Sequence, residues 1–582
     1  MSTVGDVIRH LLPTGTRGDG AWELFPEWPP DLFGVGASLL EQSGAYAWLR
    51  PKSKQNFFAL DDDIRERLRL TGRVWGQRDW LRAAGGLEGA RGRRPRGTAT
   101  QQRLNRLWRL LWSRRDEPLI ADTTVGVPDW AVAALYLLII ADEASVGVGF
   151  FPRGSALGSV TNANPIPVAA LNNFFYPTSR RKGKIKRGPT RRPITLGWFL
   201  DKEVVCVLPK TRTPNVGCTI RSLSHHLALI GGSGEVGAHW HVNPVVGETP
   251  DVFNLLMIPF PYHIRGRSFS AWQRLEKWGL FDVDQAWLPR ARGRVDATAV
   301  AEFVLSLVAA SEQEVGTIDG IVLPELALDA VCYKALLNGV RKRLPKLRFL
   351  ISGVCVRGRK GSRNVVKVAA FYPGEVFKEA GRAVQVTQSK HHRWKLDRGQ
   401  IRAYSLGDAL DPTRSWWENI DVNSRELHFF AFGTGSCFIT LICEDLARVD
   451  PGQRVVRAVG PNLVFALLMD GPQLVSRWPG RYCSVLADDP GSSVLTLTSL
   501  GLVERSGIAL RSTSRCVALW KDCSGNTQEL DLPIGAQGLC LSLTGRREFE
   551  DTLDGRDDGG AASHWSLSGA VPIALRHVPA WL

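Results

Sequence analysis

From residue 254 onward, short apolar runs alternate with amphipathic stretches in a rhythm that few folds accommodate. Asn254–Pro259, Ile318–Leu323, Leu347–Val356, Val365–Tyr372, Phe438–Ile442, Asn462–Leu468 and Val494–Ser499 read as strands. Runs that are apolar on consecutive residues are the pattern of strands covered on both faces. Between them, Asp296 caps a helix whose Val300, Phe303, Val304, Leu307 and Val308 form one stripe. A second helix carries Leu336, Leu337, Val340 and Leu344 on one side. Strand, helix, strand with short links implies a layered α/β domain.

A chain of 582 residues is long enough for two to four domains of about 100–200 residues each. The expected division is a basic N-terminal extension (1–215), a catalytic-sized α/β domain (216–550) and a C-terminal tail (551–582). The net charge of +16 is uneven: residues 1–250 hold 33 basic and 22 acidic side chains, whereas 251–582 hold 40 and 35. The window 151–200 has nine basic side chains and no acidic one. Such an excess points the extension toward an anionic partner, with nucleic acid the first candidate. The 10 cysteines begin at Cys206 and contain no CxxC pair, which supports neither a disulfide framework nor a zinc ribbon. A reducing, cytoplasmic setting is expected. The longest apolar run, Trp130–Ala141, falls short of the roughly 18–20 residues that span a bilayer. The N-terminus shows no basic start followed by an apolar core, so neither a leader nor a membrane partner is expected.

Within the extension, Arg91–Arg96 and Arg180–Arg192 read as exposed basic loops. Arg180, Arg181, Lys182, Lys184, Lys186 and Arg187 are the candidate phosphate contacts. Between the loops, Leu104, Leu107, Trp108 and Leu111 fall at helical spacing, with Arg103, Arg106 and Arg109 on the other face. A buried helix follows from Pro128 through Ala141. From Val204 the texture becomes strand-like, at Val204–Leu208, Leu223–Ile230 and Val236–Val242, and includes His225, His226, His239 and His241. His239 and His241 alternate, which places both on one face of a strand. No carboxylate or cysteine stands at matching spacing, so the sequence reading assigns no metal site.

Three polar residues stand at the ends of apolar strands: Glu325 after IDGIVLP, Lys390 in QSKHHRWKLD and Cys443 at the end of CFITLIC. A reactive side chain where a strand leaves its sheet is rigidly held and still reachable. A cysteine thiol with a pKa near about 8.5 needs a base to become a nucleophile at neutral pH. Glu325 suits that role, and Lys390 suits stabilisation of developing negative charge.

These residues resemble the nitrilase, or carbon–nitrogen hydrolase, superfamily: a PE after an apolar strand, a Lys beyond a strand pair, and a Cys ending a strand in CED. The CED followed by Leu is similar to the glutaminase portion of glutamine-dependent NAD synthetases. The resemblance spans roughly residues 250–545. It implies a four-layer αββα sandwich, here preceded by a mixed, partly helical extension, and homo-oligomers. It further implies Cys-dependent hydrolysis of a non-peptide C–N bond, in an amide or nitrile, through a thioester without a cofactor. Glu325, Lys390 and Cys443 are the implied catalytic residues. Lys395 competes with Lys390. The second carboxylate expected after the lysine is Asp397 or Glu418, and Glu444 is a further supporting candidate. The stretches before Glu325 and between Lys390 and Cys443 are longer than usual for the family. The rival reading is a nucleic-acid-associated bacterial defence factor using this domain as scaffold or sensor, since similar domains occur fused to defence-associated reverse transcriptases. Leu486–Asp489 (LADD) lacks the tyrosine of a polymerase YxDD signature, so polymerase activity is not expected.

Overall fold

The computed structural model describes residues 2–49, 58, 60–84, 98–119, 126–148, 195–213, 217–232, 236–241, 252–358, 361–371, 383–432, 436–510, 513–560 and 562–582. The basic segments Arg91–Arg96 and Arg180–Arg192, with Arg180, Arg181, Lys182, Lys184, Lys186 and Arg187, lie outside the described residues.

The N-terminal part is helical. The helix Asp129–Glu143 is buried almost all round. It packs against the helices Pro29–Ser43, Asp62–Ala84 and Ala99–Ser113. Ala99–Ser113 turns Leu104, Trp108 and Leu111 inward. Close approach is possible because a Cβ at Gly72 would lie 2.4 Å from the Ile140 carbonyl oxygen. No helix among the described residues is long and apolar enough to cross a membrane.

Strands β1 (Val205–Pro209) and β2 (Leu227–Gly231) pair antiparallel beside these helices. The strand expected at Leu223–Ile230 begins only at Leu227. The backbone N–H groups of His225, His226 and Leu227 donate to the buried Asp142 carboxylate at 2.8, 2.9 and 3.2 Å, so these donors are engaged outside the sheet.

The chain then enters β3 (Gly237–His241), β4 (Val252–Met257), β5 (Phe269–Arg274), β6 (Trp278–Val283) and the short β7 (Arg290–Ala291) and β8 (Arg294–Val295). After the helix Ala297–Val315 come β9 (Gly320–Asp329), the helix Ala330–Arg343, β10 (Phe349–Gly358), β11 (Gly361–Phe371) and β12 (Ala383–Ser389). Next are β13 (Lys395–Leu396), β14 (Ser415–Glu418), β15 (Glu426–Phe432), β16 (Ser436–Ile442), β17 (Leu463–Leu467) and β18 (Ser493–Leu497). The chain closes with β19 (Cys516–Lys521), β20 (Thr527–Asp531), β21 (Gly538–Glu548) and β22 (Ala562–Ile573).

Two seven-stranded sheets result, in the orders β12-β11-β10-β9-β4-β21-β22 and β20-β19-β18-β17-β16-β15-β3. They face one another through aromatic side chains: Phe349 reaches Phe438 with ring centroids 4.7 Å apart, and Phe432 stacks on Trp565 at 5.6 Å. The helices Ala297–Val315 and Ala330–Arg343 cover the first sheet, while Trp478–Asp488 and Leu500–Leu510 cover the second. This is a four-layer αββα sandwich. Burial from both sides explains the uninterrupted apolar runs of β16, β17 and β18. Residues 562–573, in the stretch read as a tail, form the edge strand β22.

A smaller sheet, β13-β14-β6-β5, stands against the ends of the sandwich strands. Phe269, Phe281, Trp394, Leu396, Tyr404 and Trp416 give it a second apolar core, shared with Leu326 and Met469 of the sandwich. The two long stretches before Glu325 and between Lys390 and Cys443 therefore build one accessory layer.

The helical part is docked on the sandwich by a buried charge network. Arg556 is fully buried and donates to Asp142 at 2.9 Å, Glu143 at 3.1 Å, Asp554 at 2.8 Å and the Leu223 carbonyl at 2.7 Å. Burial alone would lower its proton affinity, but the three carboxylates raise it above the ordinary arginine range. Removing one member of such a set leaves buried charge uncompensated. Arg556→Met is expected to destabilise the chain by about 3–5 kcal/mol in urea denaturation. A loss under about 1 kcal/mol, the level of a surface pair, would show that the network does not hold the two parts together.

Candidate active site

Glu325 lies within β9, which continues past the expected end at Leu323 to Asp329. The backbone turns sharply there: Leu326 has φ +55°, and the β9–β10 register shifts between Ser352 and Val354. Gly353 permits this, since a Cβ at that position would meet the Pro324 oxygen at 2.3 Å and the Glu325 Cα at 2.5 Å. Lys390 follows the last residue of β12, and its backbone N–H donates to the Asn364 carbonyl at 2.9 Å. Cys443 follows β16 and caps the short helix Glu444–Ala447, with φ +48° and ψ −109°. Such a conformation costs a non-glycine residue of order 1–3 kcal/mol and persists only where the surroundings impose it.

The Lys390 ammonium is fully buried and donates to Glu325 Oε1 and Glu418 Oε2, each at 2.8 Å. Asn364 Nδ2 bridges the same two carboxylates, at 2.6 Å to Glu325 Oε1 and 2.8 Å to Glu418 Oε1. The Trp394 backbone N–H adds a bond of 3.1 Å to Glu418 Oε2. Both carboxylates are thereby tied, except that the buried Glu325 Oε2 has no hydrogen-bond partner among the described residues.

Proton affinities in this cluster are strongly displaced. Burial pushes Glu325 above the usual glutamate range; Lys390 opposes this and the nearby Glu418 charge adds to it. Burial would depress Lys390, but Glu325, Glu418 and Cys443 outweigh it and hold the ammonium well above the ordinary lysine range. Burial, reinforced by the charge of Glu325, raises the Cys443 thiol well above its usual value, with Lys390 and a backbone hydrogen bond from Met469 opposing. The resting cysteine is therefore a neutral thiol, beside a carboxylate and an ammonium close enough to alter its ionisation.

The other sequence candidates fall elsewhere. Lys395 lies over the Trp417 ring, 5.4 Å from its centroid, outside the cluster. Asp397 caps the helix Arg398–Ala403 by accepting from the Gln400 backbone N–H at 2.9 Å. Glu444 pairs with Arg448 at 2.7 Å. The carboxylate that joins Glu325 and Lys390 is Glu418, carried in by β14 of the accessory sheet. Sequence reasoning did not single out Asn364, a polar residue inside an otherwise ordinary strand. It also passed over Asp445, whose carboxylate accepts the His391 and His392 backbone N–H groups at 3.1 Å and so ties the loop after Lys390 to the turn after Cys443. A cavity of about 220 Å³ lies apart from this cluster, at the junction with the helical part. Arg69, Arg73, Arg212 and Arg547 line it together with Glu143, Asp557 and Asp558, and among the described residues no cysteine, serine or threonine does.

No family model matches the chain, and no curated protein matches it in sequence. Solved structures do match over part of the chain. Over about half its length, the chain is structurally similar to nitrilase-superfamily and carbon–nitrogen hydrolase structures. Nit3 of Saccharomyces cerevisiae, a member of branch 10 of the nitrilase superfamily, matches at 10% identity with a TM-score of 0.29, covering 49% of this chain and 89% of that one. A carbon–nitrogen hydrolase from Helicobacter pylori G27 matches at 9% identity and 0.27, covering 48% and 86%. A glutamine-dependent NAD(+) synthetase from Cytophaga hutchinsonii matches at 10% identity and 0.25, covering 50% of this chain and 42% of the synthetase.

The geometry separates Glu418 from Asp397. Glu418→Gln is expected to change the rate of Cys443 alkylation by iodoacetamide at least about tenfold, because removing one of the two carboxylates that compensate Lys390 alters the charge beside the thiol. Asp397→Asn should leave that rate unchanged, since Asn caps a helix about as well as Asp. Peptide mass spectrometry of the Cys443 fragment reads both rates; equal rates in the two variants would contradict this arrangement.

Proposed function

We propose that the chain hydrolyses a non-peptide C–N bond, in an amide or nitrile, through a thioester on Cys443. The observation that carries this reading is the state of Glu325: Oε1 is held by Lys390 and Asn364, Oε2 is buried and unpartnered among the described residues, and the Glu325 charge acts on the Cys443 thiol, which sits on a residue with positive φ.

For an amide, Glu325 Oε2 takes the Cys443 thiol proton as the sulfur bonds to the carbonyl carbon and the C=O π pair moves onto oxygen. A lysine ammonium has three N–H donors, and two of those on Lys390 are engaged with carboxylates. The third, with the Glu444 backbone N–H that opens the helical turn, meets the developing oxyanion. The tetrahedral species collapses, the C–N bond breaks, and the nitrogen leaves as ammonia or amine carrying the proton from Glu325. Water then attacks the thioester while Glu325 accepts its proton. The carboxylic acid departs and the thiol is restored. Glu418 keeps Lys390 charged and in place without touching the reacting atoms.

Ammonia release from a panel of small amides and nitriles tests the reading. Cys443→Ala is expected to abolish turnover, Glu325→Gln to reduce it about 10²–10⁴-fold, and Lys390→Met about 10²–10³-fold. Undiminished release by Cys443→Ala would overturn it.

The pH profile follows from the Glu325 displacement. The base works when ionised, so activity falls as pH drops through a pKa raised above 4.5. Removing the Glu418 charge lowers that pKa, so the acid limb of Glu418→Gln is expected to shift to lower pH. A shift to higher pH would contradict the charge coupling.

A further inference from the structure

The second sheet ends in the edge strand β3, which lies parallel to β15 with His239 directly opposite His428. Alternate residues of a strand share a face, so Glu426 and His428 of β15 and His239 and His241 of β3 come together. The carboxylate missing at matching spacing within β3 is thus supplied from the neighbouring strand. The His239 and His428 rings stack, with centroids 4.8 Å apart and planes 17° from parallel. His239 Nε2 lies 3.9 Å from Glu426 Oε1, and His428 Nε2 lies 3.6 Å from Glu426 Oε2.

Both separations exceed the roughly 2.7–3.2 Å of an N–H···O hydrogen bond. His428 Nε2 is nevertheless buried, and no hydrogen-bond partner reaches it among the described residues. A buried polar atom of this kind calls for an occupant. The other ring nitrogen, Nδ1, stands 3.0 Å from His241 Nε2. That is the outer-sphere contact that fixes the orientation of a metal-ligating imidazole.

We infer that His239, Glu426 and His428 bind a divalent transition-metal cation of the zinc type, with His241 positioning His428 from behind. Their three ligand atoms lie within 4.8 Å of one another. Around a tetrahedral zinc with bonds of about 2.0–2.1 Å, ligand atoms stand roughly 3.3 Å apart, so modest side-chain rotation closes the triangle. Two imidazoles and one carboxylate favour zinc, cobalt or nickel over magnesium or calcium. The Glu426 side chain is 27% exposed and gives the ion a route from solvent. When bound, the cation ties β3 to β15 at the point where the chain passes from the helical part into the sandwich. The Glu426 carbonyl also contacts His391 Nε2 at 3.1 Å, next to Lys390.

The test uses the full chain, stripped with EDTA and titrated with ZnCl₂, CoCl₂ or MgCl₂ by calorimetry and thermal melting. The expected result is one zinc per chain, a raised melting temperature, no response to MgCl₂ at the same concentration, and cobalt absorption without a thiolate charge-transfer band. The last readout separates this site from the free cysteines. Zinc affinity should fall at least tenfold in His428→Ala and in Glu426→Gln. The latter is isosteric and partly exposed, and should melt like the stripped parent without metal. Absence of zinc binding by the parent chain, a thiolate band with cobalt, or undiminished zinc affinity in Glu426→Gln and in a His239→Ala/His428→Ala double variant would each overturn the inference.

Discussion

The buried Lys390 ammonium is the interaction on which the candidate site depends. An ammonium removed from water is costly unless neutralised at hydrogen-bond distance. Two carboxylates meet that requirement, and they come from structurally distinct layers: Glu325 from the first sandwich sheet and Glu418 from the accessory sheet. Asn364 binds one oxygen of each and keeps the like charges in register. Burial raises both Glu325 and Cys443, with the Lys390 charge opposing it at each. The sharp turns at Leu326 and Cys443 are the backbone counterpart of this constraint.

Much of this was legible in the sequence because it is local. Strands covered on both faces write themselves as continuous apolar runs, and the residues that end them are easily named, as with Glu325, Lys390 and Cys443. What could not be read is set by pairing between distant segments. Choosing Glu418 over Asp397 depends on β14 pairing with β6, more than 130 residues away. Asn364 has no signature, since one polar residue in a strand looks the same whether it bridges two carboxylates or faces solvent. His241 and His428 are 187 residues apart, so the histidine cluster emerges only when β3 joins the sheet edge.

The charge distribution also changes meaning. An excess of +16 first suggests a polyanion-binding chain, yet several of the best-placed cations are structural. Arg556 is enclosed by carboxylates at the junction of the two parts, and Lys390 by carboxylates in the candidate site. Arg103 of the basic helix donates to the Arg67 carbonyl and the Thr71 hydroxyl. Counting charges therefore overstates the basic surface open to a partner.

The central claim is that Cys443 becomes acylated. Its most direct measurement is intact-mass spectrometry after brief incubation with a pool of small amides and nitriles and rapid acid quenching, followed by peptide mapping. The expected result is a hydroxylamine-labile adduct on the Cys443 peptide, with the acyl mass of the amide or nitrile consumed. Product formation with Cys443 unmodified at every quench time, or with the adduct on another of the cysteines, would contradict it.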